Sequence, residues 1–165
     1  MTTPKLLGAL AAVALLAACG SDSSSDQNAA ATGLGGAGSL GSGSTPRPGS
    51  QEDLVANIGD RIFFETDSSV VRGDQRPTLE RQARWLQQYP QNTVQVEGHA
   101  DERGTREYNL ALGQRRANAA RDVLVAGGVA GSRISTISYG KDRPAALGSS
   151  EDAWAQNRRA VTVVR

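Results

Sequence analysis

The sequence predicts an α+β domain: a two-layer βαβαβ(β) sandwich with its helices packed on one face of a mixed sheet. Three observations carry this. Short β-type runs alternate with two helical repeats in the second part of the chain. Helices lying between strands imply crossover connections, which cover a sheet on one face. The first part is too poor in aromatic and branched side chains to supply a core, so about 110 residues fold as one unit with a single small core.

Residues 1–18 read as a signal peptide. Lys5 precedes an apolar run from Leu6 to Ala18, shorter than the ~20 residues that span a bilayer but suited to an export signal. Leu16-Ala17-Ala18-Cys19 resembles the bacterial lipobox, whose cysteine becomes the lipidated first residue of the mature chain. A plain cleavage site with an incidental thiol is the alternative. Cys19 is the one cysteine, so it has no internal disulfide partner. Several acyl chains, at ~0.8 kcal/mol per buried methylene, would hold it in a membrane.

Residues 19–52 form the lipidated cysteine and a Gly/Ser/Ala tether, with Pro46 and Pro48 near its end. Such a composition buries too little apolar surface to offset chain entropy. About thirty residues of this kind span roughly 30 Å on average.

The folded domain is assigned to residues 53–165. Arg61 to Glu65 is a β-type run, broken by the turn residues Thr66 to Ser69. Pro77 suits a first helical turn, and Leu79, Ala83 and Leu86 recur at helical spacing until Tyr89-Pro90. Thr93 to His99 alternates, with Val94, Val96 and Gly98 on the better-buried face. A helix from Arg106 to Ala126 stops at Gly127-Gly128. Strands from Arg133 to Tyr139 and Arg159 to Val164 flank a polar loop.

Gly98 to Arg116 carries more charge and hydrogen-bonding capacity than packing requires. Asp101 follows a strand end, Gly104 suits a backbone other residues resist, and Thr105 suits a helix N-cap. Asn109, Leu112 and Arg116 fall on one helical stripe. Arg116 lies fifteen positions after Asp101, so a turn and a helix reversal could set the two charges across a small pocket. A carboxylate suits an ammonium and a guanidinium suits a carboxylate, which together complement an amino-acid head group. The bland alternative is that Asp101 and Arg116 pair with each other or with backbone.

From Phe64 onward the chain resembles the OmpA-like peptidoglycan-binding domain family. The resemblance rests on VEGHADERGTREYNLALGQRRANAARDVL (Val96 to Leu124), ISYGKDRPAALG (Ile137 to Gly148) and NRRAV (Asn157 to Val161). It implies noncovalent binding of the peptidoglycan stem peptide through the free end of meso-diaminopimelate. In the family pattern the residues matching Asp101 and Arg116 bracket that group, Leu112 lines the pocket, Asn109 braces the loop, and Asp67 with Thr66 follows the first strand. The sequence departs from the pattern at Glu65 and Thr66, where relatives commonly carry Asp and an aromatic or apolar residue.

The resemblance also implies a lipid anchor in the outer membrane, which Gly20 after the cysteine favours, with the domain facing the periplasm. It implies a place in the Tol–Pal system, supporting envelope integrity and division, with TolB as partner. No cofactor or metal is implied.

Other classes are disfavoured. Charge is nearly balanced, 18 basic against 17 acidic residues, so nucleic acid is not an expected partner. His99-Ala100-Asp101 places a base near a carboxylate, but the folded part holds neither a thiol nor a second histidine for a cell-wall hydrolase. A flagellar-stator-like protein would need a charged membrane-spanning helix, which residues 1–19 do not provide. A protein-binding lipoprotein of the same fold, without wall affinity, is the remaining alternative. Trp85 and Trp154 read as packing residues outside the key turn, and Arg103, Arg106, Arg158 and Arg159 as solvated charges or partner contacts.

Overall fold

The computed structural model describes residues 45–165. The signal peptide, Cys19 and most of the tether lie outside the described residues. The chain enters through a short helix, α1 (Gln51–Asp53), which continues as a π-helical turn over Leu54–Ile58. Ser50 caps α1, its hydroxyl accepting from the Asp53 amide. Gly49 N donates to Asp53 Oδ2 at 2.8 Å, so the fold begins inside the segment assigned to the tether.

The remaining elements are β1 (Arg61–Phe63), α2 (Arg76–Gln88), β2 (Val94–His99), α3 (Arg106–Ala126), a 3₁₀ turn (Gly131–Arg133), β3 (Ile134–Gly140), α4 (Glu151–Asn157) and β4 (Arg159–Val164). The sheet order is β1-β4-β2-β3. The β1/β4 and β4/β2 pairs are antiparallel and β2/β3 is parallel, so the sheet is mixed as expected.

The expected α+β sandwich is present. Leu79, Ala83 and Leu86 of α2 meet Ala117, Ala120 and Leu124 of α3 over Ile62, Val94, Val96 and Ala160 from three strands. Within β2, Val94 and Val96 are buried while Gln95 and Glu97 are half-buried, the alternation of a sheet covered on one face. The N-terminal segment plugs the far end: Leu54 is fully buried, and Trp85 Nε1 donates to Asp53 Oδ2 at 2.9 Å.

Two elements differ from the sequence reading. The helical turns over residues 51–58 were not expected, and their first two residues fall in the segment assigned to the tether; α4 lies where a polar loop was expected. Glu151–Asn157 (EDAWAQN) is polar on most sides, so it carries no apolar stripe. Its signals are the Ser150 cap, which accepts from the Ala153 amide, and acidic residues in the first turn. The first strand is also shorter, ending at Phe63.

What sets the functional end of the molecule is the close approach of α3 to β2. A Cβ on Gly98 would sit 1.8 Å from the Gly113 carbonyl oxygen, and one on Gly113 would sit 2.3 Å from Ser138 Oγ. Only glycine at both positions lets the helix lie this near the strand.

Candidate functional site

The chain leaves β2 at His99 and turns through Ala100 to Thr105 into α3. Ala100 N donates to Gly140 O at 2.8 Å, which ties the start of this turn to the end of β3. Gly104 adopts φ 88°, and Thr105 caps α3, its Oγ1 accepting from Tyr108 N at 3.2 Å. Asn109 reaches back from the first turn of α3, donating from Nδ2 to Arg103 O at 2.8 Å. This bond ties the first turn of α3 to the turn before it.

All six residues singled out for the pocket, Thr66, Asp67, Asp101, Asn109, Leu112 and Arg116, line one cleft of about 260 Å³. Arg103, Gly104 and Tyr108 complete the wall. Three sequence-distant segments thus meet: the loop after β1, the turn after β2 and one stripe of α3.

Asp101 and Arg116 do not pair with each other. Arg116 is fully buried and spends its donors on the main chain: Nε to Ser68 O at 2.8 Å, Nη1 to His99 O at 2.9 Å, and Nη2 to Glu65 O at 3.0 Å. The backbone half of the bland alternative is therefore real, and Arg116 clamps the loop after β1 to the end of β2. A guanidinium has five N–H donors, so two remain beyond these three bonds. Burial pushes its pKa down to about 10, which leaves it a cation at neutral pH.

Asp101 is also buried, with Arg103 as its main partner at 2.6 Å and Arg158 Nη1 behind it at 3.5 Å. Burial alone would raise its carboxyl pKa. Hydrogen bonds from Arg103 and Arg158 outweigh burial and hold it below the usual carboxylate range. Asp67 also lines the cleft, with φ 54°, a left-handed backbone that Asp tolerates better than most residues. The Tyr108 hydroxyl donates to Asp67 Oδ1.

The cleft therefore holds two carboxylates, Asp67 and Asp101, and two guanidinium groups, Arg103 and Arg116, around the Leu112 side chain. Fixed charges of both signs at short range suit a zwitterion with a short apolar stem. Thr66, at a position that departs from the family pattern, makes a polar contact instead of an apolar one, its Oγ1 accepting from Arg103 Nη2 at 3.3 Å.

Sequence reasoning did not place Arg103, Tyr108 or Trp154 at the site, and it read Arg158 and Arg159 as solvated charges or partner contacts, whereas both are buried. The Arg103 guanidinium lies 4.1 Å from the Trp154 ring centre, and Trp154 Nε1 donates to Glu102 Oε1 at 3.1 Å. Trp154 is thus a packing residue, as expected, and the surface it packs on is the key turn. No sequence signal could have shown this, because the contact spans 52 positions. His99 does not line the cleft: its ring is buried, and neither ring nitrogen has a hydrogen-bond partner. Among the described residues no cluster of three or more His, Cys, Asp or Glu could hold a metal ion.

Comparison with known proteins agrees with this fold. The OmpA family matches residues 63–158. The peptidoglycan-associated lipoprotein of Mesorhizobium japonicum is 56% identical over 164 residues, covering 99% of this chain and 94% of the relative. That of Pasteurella multocida is 41% identical, covering 95% of each. Among solved structures, the peptidoglycan-associated lipoprotein of Burkholderia pseudomallei aligns with TM-score 0.64 and 40% identity, over 68% of this chain and 100% of that one. The C-terminal domain of Helicobacter pylori MotB aligns with TM-score 0.60 and 27% identity, over 64% of this chain and 84% of that one. A family match across more than half of the chain, with relatives this similar over nearly its whole length, means that the chain belongs to the OmpA family.

Proposed function

We propose that this protein is a non-enzymatic anchor that binds peptidoglycan through the free end of meso-diaminopimelate, in the cleft between Asp67, Asp101 and Arg116. The observation that carries the reading is the cleft itself, whose carboxylates and guanidinium groups stand around one apolar side chain, Leu112. The free end of diaminopimelate has the complementary chemistry: an ammonium and a carboxylate on one carbon, carried on a short methylene stem. In this reading the ammonium meets the Asp101 carboxylate, and the ligand carboxylate takes the two remaining N–H groups of Arg116. Arg103, whose side chain is 39% exposed, gives way at Asp101 as the ammonium enters. Leu112 packs on the methylenes, and Asn109 holds the turn in place.

Lipidation at Cys19, a tether over residues 19–52 and an outer-membrane anchor with the domain in the periplasm complete the proposal. The names of the similar relatives, peptidoglycan-associated lipoproteins, support it. A place in the Tol–Pal system with TolB as partner belongs to the same reading. A pull-down with purified TolB should recover the protein, and a negative result at high concentration would count against that part.

The test of wall binding is co-sedimentation with purified diaminopimelate-containing sacculi. The parent should pellet and Asp101→Ala should stay in solution while keeping its circular dichroism spectrum. An Asp101→Ala variant that pellets like the parent would move the binding site elsewhere.

A further inference from the structure

The acceptor sites of the Asp101 carboxylate are filled from within the chain. Oδ1 takes the Arg103 backbone N–H at 3.1 Å and Arg103 Nε at 3.2 Å. Oδ2 takes Arg103 Nη2 at 2.6 Å and Arg158 Nη1 at 3.5 Å. A carboxylate has about four lone-pair sites, so a ligand ammonium can reach this one only by displacing a donor already there.

The three arginines around the cleft are not equally free to move. Three main-chain carbonyls hold Arg116. Arg158 donates from Nε to Phe64 O at 3.2 Å, and its side chain is only 6% exposed. The Arg103 side chain is 39% exposed and donates to no main-chain carbonyl among the described residues. Its release from Asp101 therefore strands no buried acceptor of the fold.

Two further contacts hold Arg103 over the cleft. Nη2 also donates to Thr66 Oγ1 at 3.3 Å, and the guanidinium lies 4.1 Å from the Trp154 ring centre. The indole is itself fixed by its bond from Nε1 to Glu102 Oε1. Cation–π attraction to a fixed ring does not depend on Asp101, so Trp154 keeps a seat for the guanidinium after it leaves the carboxylate. Thr66 stands where the family pattern has an aromatic or apolar residue, which would offer Arg103 no acceptor.

Resting on the diaminopimelate reading above, we propose that Arg103 is an internal competitor for the ammonium subsite, held there by Thr66 and Trp154, and that this competition sets the affinity of the cleft. Binding exchanges one cation for another at Asp101. The ligand ammonium takes the places of Nε and Nη2, the Arg103 backbone N–H and Arg158 keep theirs, and the guanidinium stays on the Trp154 ring.

The experiment is titration of the full chain in mild detergent with a muropeptide tripeptide ending in diaminopimelate, followed by calorimetry and by tryptophan emission. Arg103→Met, with its circular dichroism spectrum unchanged, should bind about five-fold more tightly than the parent, because the displaced pair is partly exposed. Thr66→Val should tighten binding by less, and should add nothing in the Arg103→Met background. Trp154 does not line the cleft and Trp85 lies at the far end of the fold, so a ligand-induced change in emission reports movement of Arg103. That change should appear in the parent and vanish in Arg103→Met. Equal or weaker binding by Arg103→Met would overturn the competitor, as would binding by the parent with no change in emission. Absence of binding in both parent and Arg103→Met would instead overturn the diaminopimelate reading beneath it.

Discussion

Arg116 is a buried cation that meets no carboxylate within ion-pair distance among the described residues; three main-chain carbonyls hold it instead. Removing it would leave those carbonyls without their charged donor, so Arg116→Met should lower stability by about 3 kcal/mol or more. Urea denaturation of parent and variant checks this. Loss of binding in an Arg116 variant therefore has to be read with a fold control, whereas Asp101 faces the cleft from one side and is the cleaner probe. Asn109→Ala, which frees the Arg103 carbonyl and loosens the turn, should cost about 1–2 kcal/mol by the same measurement and weaken ligand binding.

His99 gives a pH signature. Burial and the nearby charges of Arg159, Arg143 and Arg61 lower its pKa to about 4, although Glu97 lies 3.8 Å away. In the unfolded chain an ordinary histidine titrates near ~6.5. Between those values the unfolded state binds the proton and the folded state does not. The stability it supports is thus present above pH ~6.5 and declines as pH falls toward 4, by up to about 3 kcal/mol. Denaturation across that window should show the slope, and His99→Gln should flatten it. Asp101, whose pKa is also depressed, loses its contribution only at lower pH, as its carboxylate protonates.

At the scale of elements, the packing of α3 on β2 rests on Gly98 and Gly113. Backbone atoms, which cannot rotate aside, would meet a Cβ at Gly98. Gly98→Ala should therefore push α3 outward and cost about 2–3 kcal/mol or prevent folding. Thermal melts monitored by circular dichroism test it, and an unchanged midpoint would mean that helix and strand are less closely apposed.

The long helix and the strands of the sheet were legible because their apolar spacing matches the helical or the alternating period. Arg106 to Ala126 and Arg159 to Val164 were read with the bounds they have. α4 was not legible, because a polar helix held by a cap and by its contacts has no periodic stripe. Counting residues was enough to expect Asp101 and Arg116 at one pocket, and both line the same cleft. That Arg103 occupies Asp101, that Arg116 binds carbonyls, and that Trp154 supports the turn are consequences of tertiary packing between distant segments, which spacing does not encode.

For the whole molecule, the folded unit reaches back before residue 53. Leu54 is fully buried and Asp53 holds the indole N–H of Trp85, so a soluble domain starting at Thr45 should be more stable than one starting at Asp60. The shorter form should unfold at lower denaturant, with its tryptophan emission shifted to the red. Contacts of the folded domain thus begin by Gly49, whose amide donates to Asp53 and whose carbonyl accepts from Asn92.

Recognition of the free zwitterionic end of diaminopimelate is tested by exchanging that end. Calorimetric titration of the domain starting at Thr45 should compare a diaminopimelate muropeptide with one carrying lysine at the same position, which keeps the ammonium and lacks the carboxylate. A ligand carboxylate on the Arg116 guanidinium predicts an affinity at least about ten-fold higher for diaminopimelate, with Asp101→Ala binding neither ligand measurably. Equal affinities for the two muropeptides would mean that the guanidinium of Arg116 serves only the fold, and the proposed binding mode would be wrong.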